Sequence, residues 1–309
     1  MTARGVSVVV PVFNGAATLP ELVRRVDEAL AGSDYELVLV NDGSADGSWE
    51  LIAELARENP RVRGLDLMRN YGQHNALLAG VRAARKPVAV TIDDDLQNPP
   101  EEIPKLLARL DEGVDVVYGT AATQHYGFWR GLGTRLGKLA LRMAIGSDIA
   151  ARVGAFRAFR TDLREAFAGF EGPYVSLDVL LNWGAARYES VPVDHARRAE
   201  GRSSYPFGRL ATHALNVLTG FSTRPLRIAS LVGLAFTLFG VAILVLVVVR
   251  YFVEGDTVPG FPFLASIIAI FSGVQLLTLG VIGEYLARMH VRVMDRPAYA
   301  VRREVGADG

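Results

Sequence analysis

Cysteine is absent from all 309 residues, which excludes disulfide frameworks, zinc–thiolate clusters and thiol nucleophiles together. Net charge is missing too. The 33 basic side chains equal the 33 acidic ones, so overall charge argues neither for nor against nucleic acid, and no motif asks for it as a partner. There is no Gly-X-Y period and no Walker lysine motif. The string GLGTRLG (131–137) mimics a glycine-rich phosphate loop, but its spacing is wrong and no strand precedes it. A collagen-like fibre, an ATPase and a dinucleotide-dependent dehydrogenase are thereby set aside. Disorder is excluded as well, because half of the chain is hydrophobic and only 21% is charged. A chain of this length fits one large domain plus something smaller, or two modest domains.

The zero balance hides a gradient. Residues 1–120 hold 12 basic and 19 acidic side chains, whereas residues 121–227 hold 15 basic and 8 acidic ones. Carboxylates gathered on one wall and cations on the other would suit a cleft for metal, sugar and phosphate. Of the 33 basic residues 30 are Arg, the side chain that contacts phosphate bidentately.

Charge disappears altogether near the end. From Ile228 to Val249 run 22 uncharged residues, and from Val258 to Gly283 a further 26. A helix of about 20 such residues spans roughly 30 Å, the thickness of a bilayer core. Arg224 and Arg227 precede the first run, and Arg288, Arg292 and Arg296 follow the second. The positive-inside rule therefore predicts a membrane hairpin with both flanks in the cytoplasm and the connection 250–259 outside. No signal peptide is expected before Val6, where a strand begins. The stretch 119–147 contains no acid and interleaves Arg130, Arg135, Lys138 and Arg142 with apolar residues, which predicts a basic amphipathic helix on the bilayer surface. Residues 206–221 read similarly.

The first 120 residues alternate between apolar runs and helix-like stretches. Strands are predicted at 6–12, 35–42, 62–68, 87–93 and 114–120. Helices are predicted from Thr18, whose spacing to Glu21 is that of a capping box, to 31, and at 47–58, 74–84 and 100–110. Such alternation predicts a mostly parallel sheet covered on both faces, with ligands beyond the carboxyl ends of its strands. The polar residues at those ends are Asn14, Asp42, Arg69 with Asn70, and Asp93 to Asp95. Three consecutive carboxylates repel one another, and a Mg2+ or Mn2+ ion, which prefers oxygen ligands, would relieve the repulsion. Strand alternation would turn Asp93 and Asp95 to one side and Asp94 to the other, with Gln97 as a further oxygen donor. Asp42 suits a nucleobase N–H, or equally the capping of an Asp-Gly turn.

The strings PVFNG, VNDGSADGS, RNYGQHNALLAG, DDDLQNPPEEIP, RAEGRSSY and STRPLR, followed by two apolar spans, GEYLAR and RPAYAV, resemble the family 2 glycosyltransferases that act on polyprenyl phosphate. Dolichol-phosphate mannose synthase is a more distant relative in that family. The resemblance covers nearly the whole chain. It implies an α/β GT-A domain over 1–204, juxtamembrane helices over 205–227, a transmembrane hairpin over 228–287 and a cytoplasmic tail over 288–309. The activity it implies is inverting transfer of a sugar from a nucleotide donor, a UDP-sugar by resemblance, to undecaprenyl phosphate at the inner membrane, by an enzyme that forms a homo-tetramer. Pro11, Phe13, Asn14, Asp42, Arg69, Asp93 and Asp94 would then bind the nucleotide sugar, and Asp93, Asp95 and Gln97 the metal. Arg130, Thr134, Arg198, Arg202 and Ser203 would meet the acceptor phosphate, with Asp95, Asp148, Arg130 and Arg198 in the catalytic group.

Three positions depart from the family pattern. Gly15 stands where an acidic residue is common, Ser204 where a Lys is expected, and Ala151 where relatives carry an Asp proposed as a base, with Asp148 three residues earlier. Activity is nonetheless expected. A phosphate monoester with a second pKa near ~6 is already a nucleophile at neutral pH. A general base, worth roughly 10²–10⁴-fold, matters only where a proton must be removed. Two other readings remain: a processive polysaccharide synthase, whose QxxRW segment and longer channel are not in this sequence, and a catalytically silent membrane scaffold.

Overall fold

The computed structural model describes residues 5–121, 153–172, 174–194, 224–254, 260–294 and 296–306. The amphipathic stretches expected within 119–147 and 206–221 lie outside the described residues, apart from 119–121, which end a strand.

Four β–α repeats open the chain. Strands β1 (Val6–Val12), β2 (Tyr35–Asn41), β3 (Val62–Leu67) and β4 (Val88–Thr91) alternate with helices α1 (Leu19–Ala29), α2 (Ser48–Glu58) and α3 (Gln73–Ala83). A 3-10 turn at Pro100–Glu102 leads into α4 (Ile103–Asp111), then come β5 (Val116–Ala121), β6 (Arg157–Arg160), α5 (Leu177–Leu181) and β7 (Tyr188–Val193). Long helices α6 (Arg224–Glu254) and α7 (Phe261–Val293) follow, and the chain returns as β8 (Val301–Val305). All eight strands form one sheet in the order β7-β5-β6-β4-β1-β2-β3-β8. Four of its seven pairings are parallel; β4–β6, β5–β6 and β3–β8 are antiparallel.

The central strands β1 and β4 are almost wholly apolar on both faces because both faces are covered. Val8, Val10 and Val12 of β1 pack toward the side of α1 and α2, while Val9 packs toward α3. Helix α3 comes so close that a Cβ on Gly80 would stand 2.3 Å from Val9 Cγ1. Beneath the end of β4 lies a buried polar group. Arg157 pairs with Asp178 and donates to Thr91 Oγ1 at 3.0 Å, and Tyr118 donates to Asp178 at 3.1 Å. Burial, and then the Asp178 charge, push the Tyr118 phenol well above its ordinary pKa, so it stays a donor.

Two local expectations are corrected. The capping box does not form: Thr18 donates its hydroxyl back to the Gly15 carbonyl at 3.0 Å, and Glu21 is held by Arg24 at 2.6 Å. Strand β4 ends at Thr91, two residues short of Asp93, so the pleat alternation does not govern the three aspartates. Instead the chain turns, with Leu96 in the left-handed region at φ 59°.

Helices α6 and α7 are each long and apolar enough to cross a membrane, over Leu226–Ile243 and Ile270–His290, and neither stretch is buried by the rest of the chain. They pack on one another. Phe236 meets Phe271 edge-on at 6.1 Å, and a Cβ on Gly240 would stand 2.7 Å from the Phe271 ring. Two of their hydroxyls are satisfied within the helix, Thr237 donating to Gly233 O and Thr278 to Val274 O, both at 2.9 Å. Residues 288–293 still belong to α7, and 301–305 join the sheet.

Candidate active site

In an open α/β sheet the crevice forms where the strand order reverses. Here that happens at β1, whose neighbours β2 and β4 carry chains leading off in opposite directions. Beyond the carboxyl ends of these strands lies a cleft of about 290 Å³, lined by Pro11, Val12, Phe13, Asp42, Asn70, Gly72, Gln73, Asp93, Asp94 and Asp95.

One half of the cleft comes from β1 and β2. Phe13 is 53% exposed and offers a ring to a flat ligand. Asp42 is buried and accepts from the backbone N–H groups of Tyr71 at 2.7 Å and Gly72 at 2.8 Å. Burial raises its pKa, and these two donors oppose the rise. Asp42 therefore pins the 71–72 backbone rather than capping a turn. Asn14 is exposed and is not among the lining residues. It adopts φ 54°, a conformation Asn tolerates, and joins two loops through Asn14 N–H to Ser44 Oγ (3.0 Å) and Ala45 N–H to Asn14 Oδ1 (2.9 Å). Gly43 (φ +70°) passes so close to the next loop that a Cβ there would meet the Asn70 nitrogen at 2.5 Å. Arg69 stacks its guanidinium on Tyr71 at 4.6 Å and does not line the cleft.

The other half is the aspartate turn. All three carboxylates line the same cleft, where alternation would have turned Asp94 away. Burial, then the charges of Asp93 and Asp95, push the Asp94 carboxyl up to about 6, against the Phe13 N–H that it accepts at 3.4 Å. Gly15 makes room for it, since a Cβ at 15 would stand 2.4 Å from Asp94 Oδ2. Any side chain at position 15 would require Asp94 to shift. Asp95 Oδ1 accepts the Gln97 backbone N–H at 3.1 Å, and Asp93 Oδ1 accepts Gln73 Nε2 at 2.6 Å. Gln97 is not among the lining residues.

Carboxylates of like charge, crowded on a turn and open to one cleft, are an oxygen donor set that fits Mg2+ or Mn2+. Among the described residues no three acidic or histidine side chains converge into a complete metal cage, so a ligand would have to supply part of the coordination. Arg130, Thr134, Asp148, Arg198, Arg202 and Ser203 lie outside the described residues. The sequence did not single out Gln73 or Gly72, although both sit in RNYGQHNALLAG. The available signal was their place at the carboxyl end of β3, where α3 begins.

The family model described as Glycosyl transferase family 2 matches residues 7–167. This chain belongs to that family. Among curated relatives, it is similar to the undecaprenyl-phosphate 4-deoxy-4-formamido-L-arabinose transferase of Pseudomonas aeruginosa (strain LESB58), 40% identical over 98% of this chain and 91% of that one. The protein of the same name from Enterobacter sp. (strain 638) is 37% identical over 97% of this chain and 93% of that one. Among solved structures, glucosyl-3-phosphoglycerate synthase from Mycobacterium tuberculosis with phosphoglyceric acid matches with a TM-score of 0.51 at 21% identity, over 70% of this chain and 78% of that one. The same synthase with Mn2+ and UDP-glucose gives 0.50 at 21% identity, over 70% and 77%. These structural matches establish the fold of this family 2 glycosyltransferase, a GT-A-like sheet with the cleft at its switch point.

Proposed function

We propose that this family 2 enzyme transfers one sugar from a UDP-sugar to undecaprenyl phosphate at the inner membrane, with inversion at the anomeric carbon. The observation that carries the reading is the single cleft in which Phe13 and Asp42 face the three aspartates of the β4 turn. Curated relatives of nearly the same length bear the name of such a transferase. In the reaction an oxygen of the lipid phosphate bonds to the anomeric carbon as the bond from that carbon to the diphosphate breaks. No proton has to leave the nucleophile, so Ala151 does not disable the chain. Phe13 stacks on the base, and Asp42 and the loop it pins shape the nucleoside pocket, with Pro11, Asn14 and Arg69 around it. Asp93 and Asp95, the latter held by the Gln97 backbone N–H, would hold a Mg2+ or Mn2+ ion, which when bound supplies charge neutralisation for the leaving diphosphate. Arg130 and Arg198, with Thr134, Arg202 and Ser203, orient the acceptor phosphate, and Asp148 orients this group. A homo-tetramer is the assembly the resemblance favours.

Membrane topology is part of the same reading. Basic residues flank both spans on the side of the cleft domain, and β8 returns to that domain after α7. Both observations support a hairpin with the catalytic domain and both termini in the cytoplasm.

The test is a panel of radiolabelled UDP-sugars, with 4-deoxy-4-formamido-L-arabinose first, incubated with undecaprenyl phosphate and Mn2+. One sugar per lipid is expected, and Asp93→Asn or Asp95→Asn should cut turnover by roughly 100-fold or more. A growing polymer would favour the processive reading. Absence of metal-dependent UDP binding would favour the silent scaffold.

A further inference from the structure

Besides the Phe13 N–H that reaches Asp94 at 3.4 Å, the two halves of the cleft are joined by the Gln73 side chain. Gln73 opens α3 directly after Gly72, whose N–H is held by Asp42 at 2.8 Å. From there its amide crosses to Asp93 and donates to Oδ1 at 2.6 Å. A carboxylate only accepts, so the Gln73 nitrogen is the atom facing Asp93. Its base is firm as well. Asn75, the third residue of α3, donates its side-chain amide to the Ala298 carbonyl, and Met68 N–H donates to Ala300 O at 2.9 Å. The run is thus continuous: Asp42, the 71–72 backbone, Gln73, Asp93.

We propose that Gln73 is a positioning residue that orients the Asp93 carboxylate and locks the nucleoside half of the cleft to the diphosphate half. A carboxylate on a turn rotates freely about its last bond unless something holds it. One charge-assisted bond from a side chain rooted on a fixed backbone selects which oxygen turns outward. Gln73 itself need not touch donor or acceptor. The inference rests on the transferase reading and adds a residue that the aspartate motif does not contain.

The experiment compares the unaltered full-length protein with Gln73→Met, which keeps length and loses the donor, and Gln73→Ala. Three quantities are read: UDP affinity with metal chelated, the Mn2+ concentration giving half-maximal UDP binding by calorimetry, and the thermal midpoint. Gln73 is exposed, so the midpoint should stay unchanged, and the metal-free UDP affinity should fall by less than the Mn2+-dependent affinity. The Mn2+ half-saturation should rise roughly tenfold in both variants, the scale for a residue that orients a metal ligand. In an Asp93→Asn background, Gln73→Met should add nothing further. A rise below about threefold, or a full additional loss in that background, overturns the proposal. If the unaltered chain itself shows no Mn2+-dependent UDP binding, the transferase reading falls and this inference with it; a normal response there with unmoved variants removes the inference alone.

Discussion

At the scale of single residues, buried charge decides more than surface charge. Glu36 is almost wholly buried and accepts from Ser7 at 2.6 Å, the Arg85 backbone at 2.6 Å and Arg63 at 2.9 Å. Burial alone would raise its pKa, but these three donors together hold it below the ordinary 4.5. A carboxylate depressed in this way contributes stability above its unfolded pKa and loses it as pH falls through the folded value. Glu36→Gln should therefore destabilise by about 3 kcal/mol near neutrality, because Arg63 is left buried without its partner. The gap should narrow as the pH falls below 4.5, a trend that unfolding midpoints across a pH series would register. Position 15 makes a second case. Gly15→Ala would force Asp94 to move, so Mn2+-dependent UDP binding should weaken by roughly tenfold, measured by calorimetry, while metal-free binding changes little.

Among the elements, β8 carries more than its length suggests. Arg303 pairs with the buried Asp66 at 2.9 Å and lies over Trp49 at 4.7 Å, and Asp66 in turn accepts from Asn41, the neighbour of Asp42. Arg302 donates to Met68 O at 2.6 Å at the foot of the loop that lines the cleft. Deleting 296–309 while keeping both long helices should lower the thermal midpoint by on the order of 5 °C and weaken UDP binding along with it. Little of this was legible in VRREV, which alternates poorly because an edge strand turns its charges to water. Strand β6 was hidden for the opposite reason: RAFR carries a buried Arg157 whose partner Asp178 is 21 residues away. The first five strands were read almost to their ends. At β4 the reading overran, since TIDDD gives no sign that the pleat stops at Thr91. The aspartates were legible as a site, but their common orientation was not. Gln73 depends on a contact across 20 residues that no local pattern records.

At the scale of the whole molecule, the absence of cysteine makes topology directly measurable. In a chain without a native thiol, Asp256→Cys in the short connection should react with an impermeant maleimide in intact cells, and Glu304→Cys on β8 only after permeabilisation. Labelling of both from outside would refute the hairpin orientation. The Arg288 guanidinium, where α7 leaves its apolar stretch, lies 5.0 Å over the Tyr174 ring of the sheet domain. Helix and domain are thereby fastened where they meet. The placement of β8 has a further consequence for how the protein is made. Its residues are made after both apolar helices, yet they complete a sheet whose other seven strands all precede those helices. Until then β3 presents an open margin, and a chain cut short after α7 has a transferase domain lacking its final stave. The β3 margin can therefore be covered only after both apolar helices have been made.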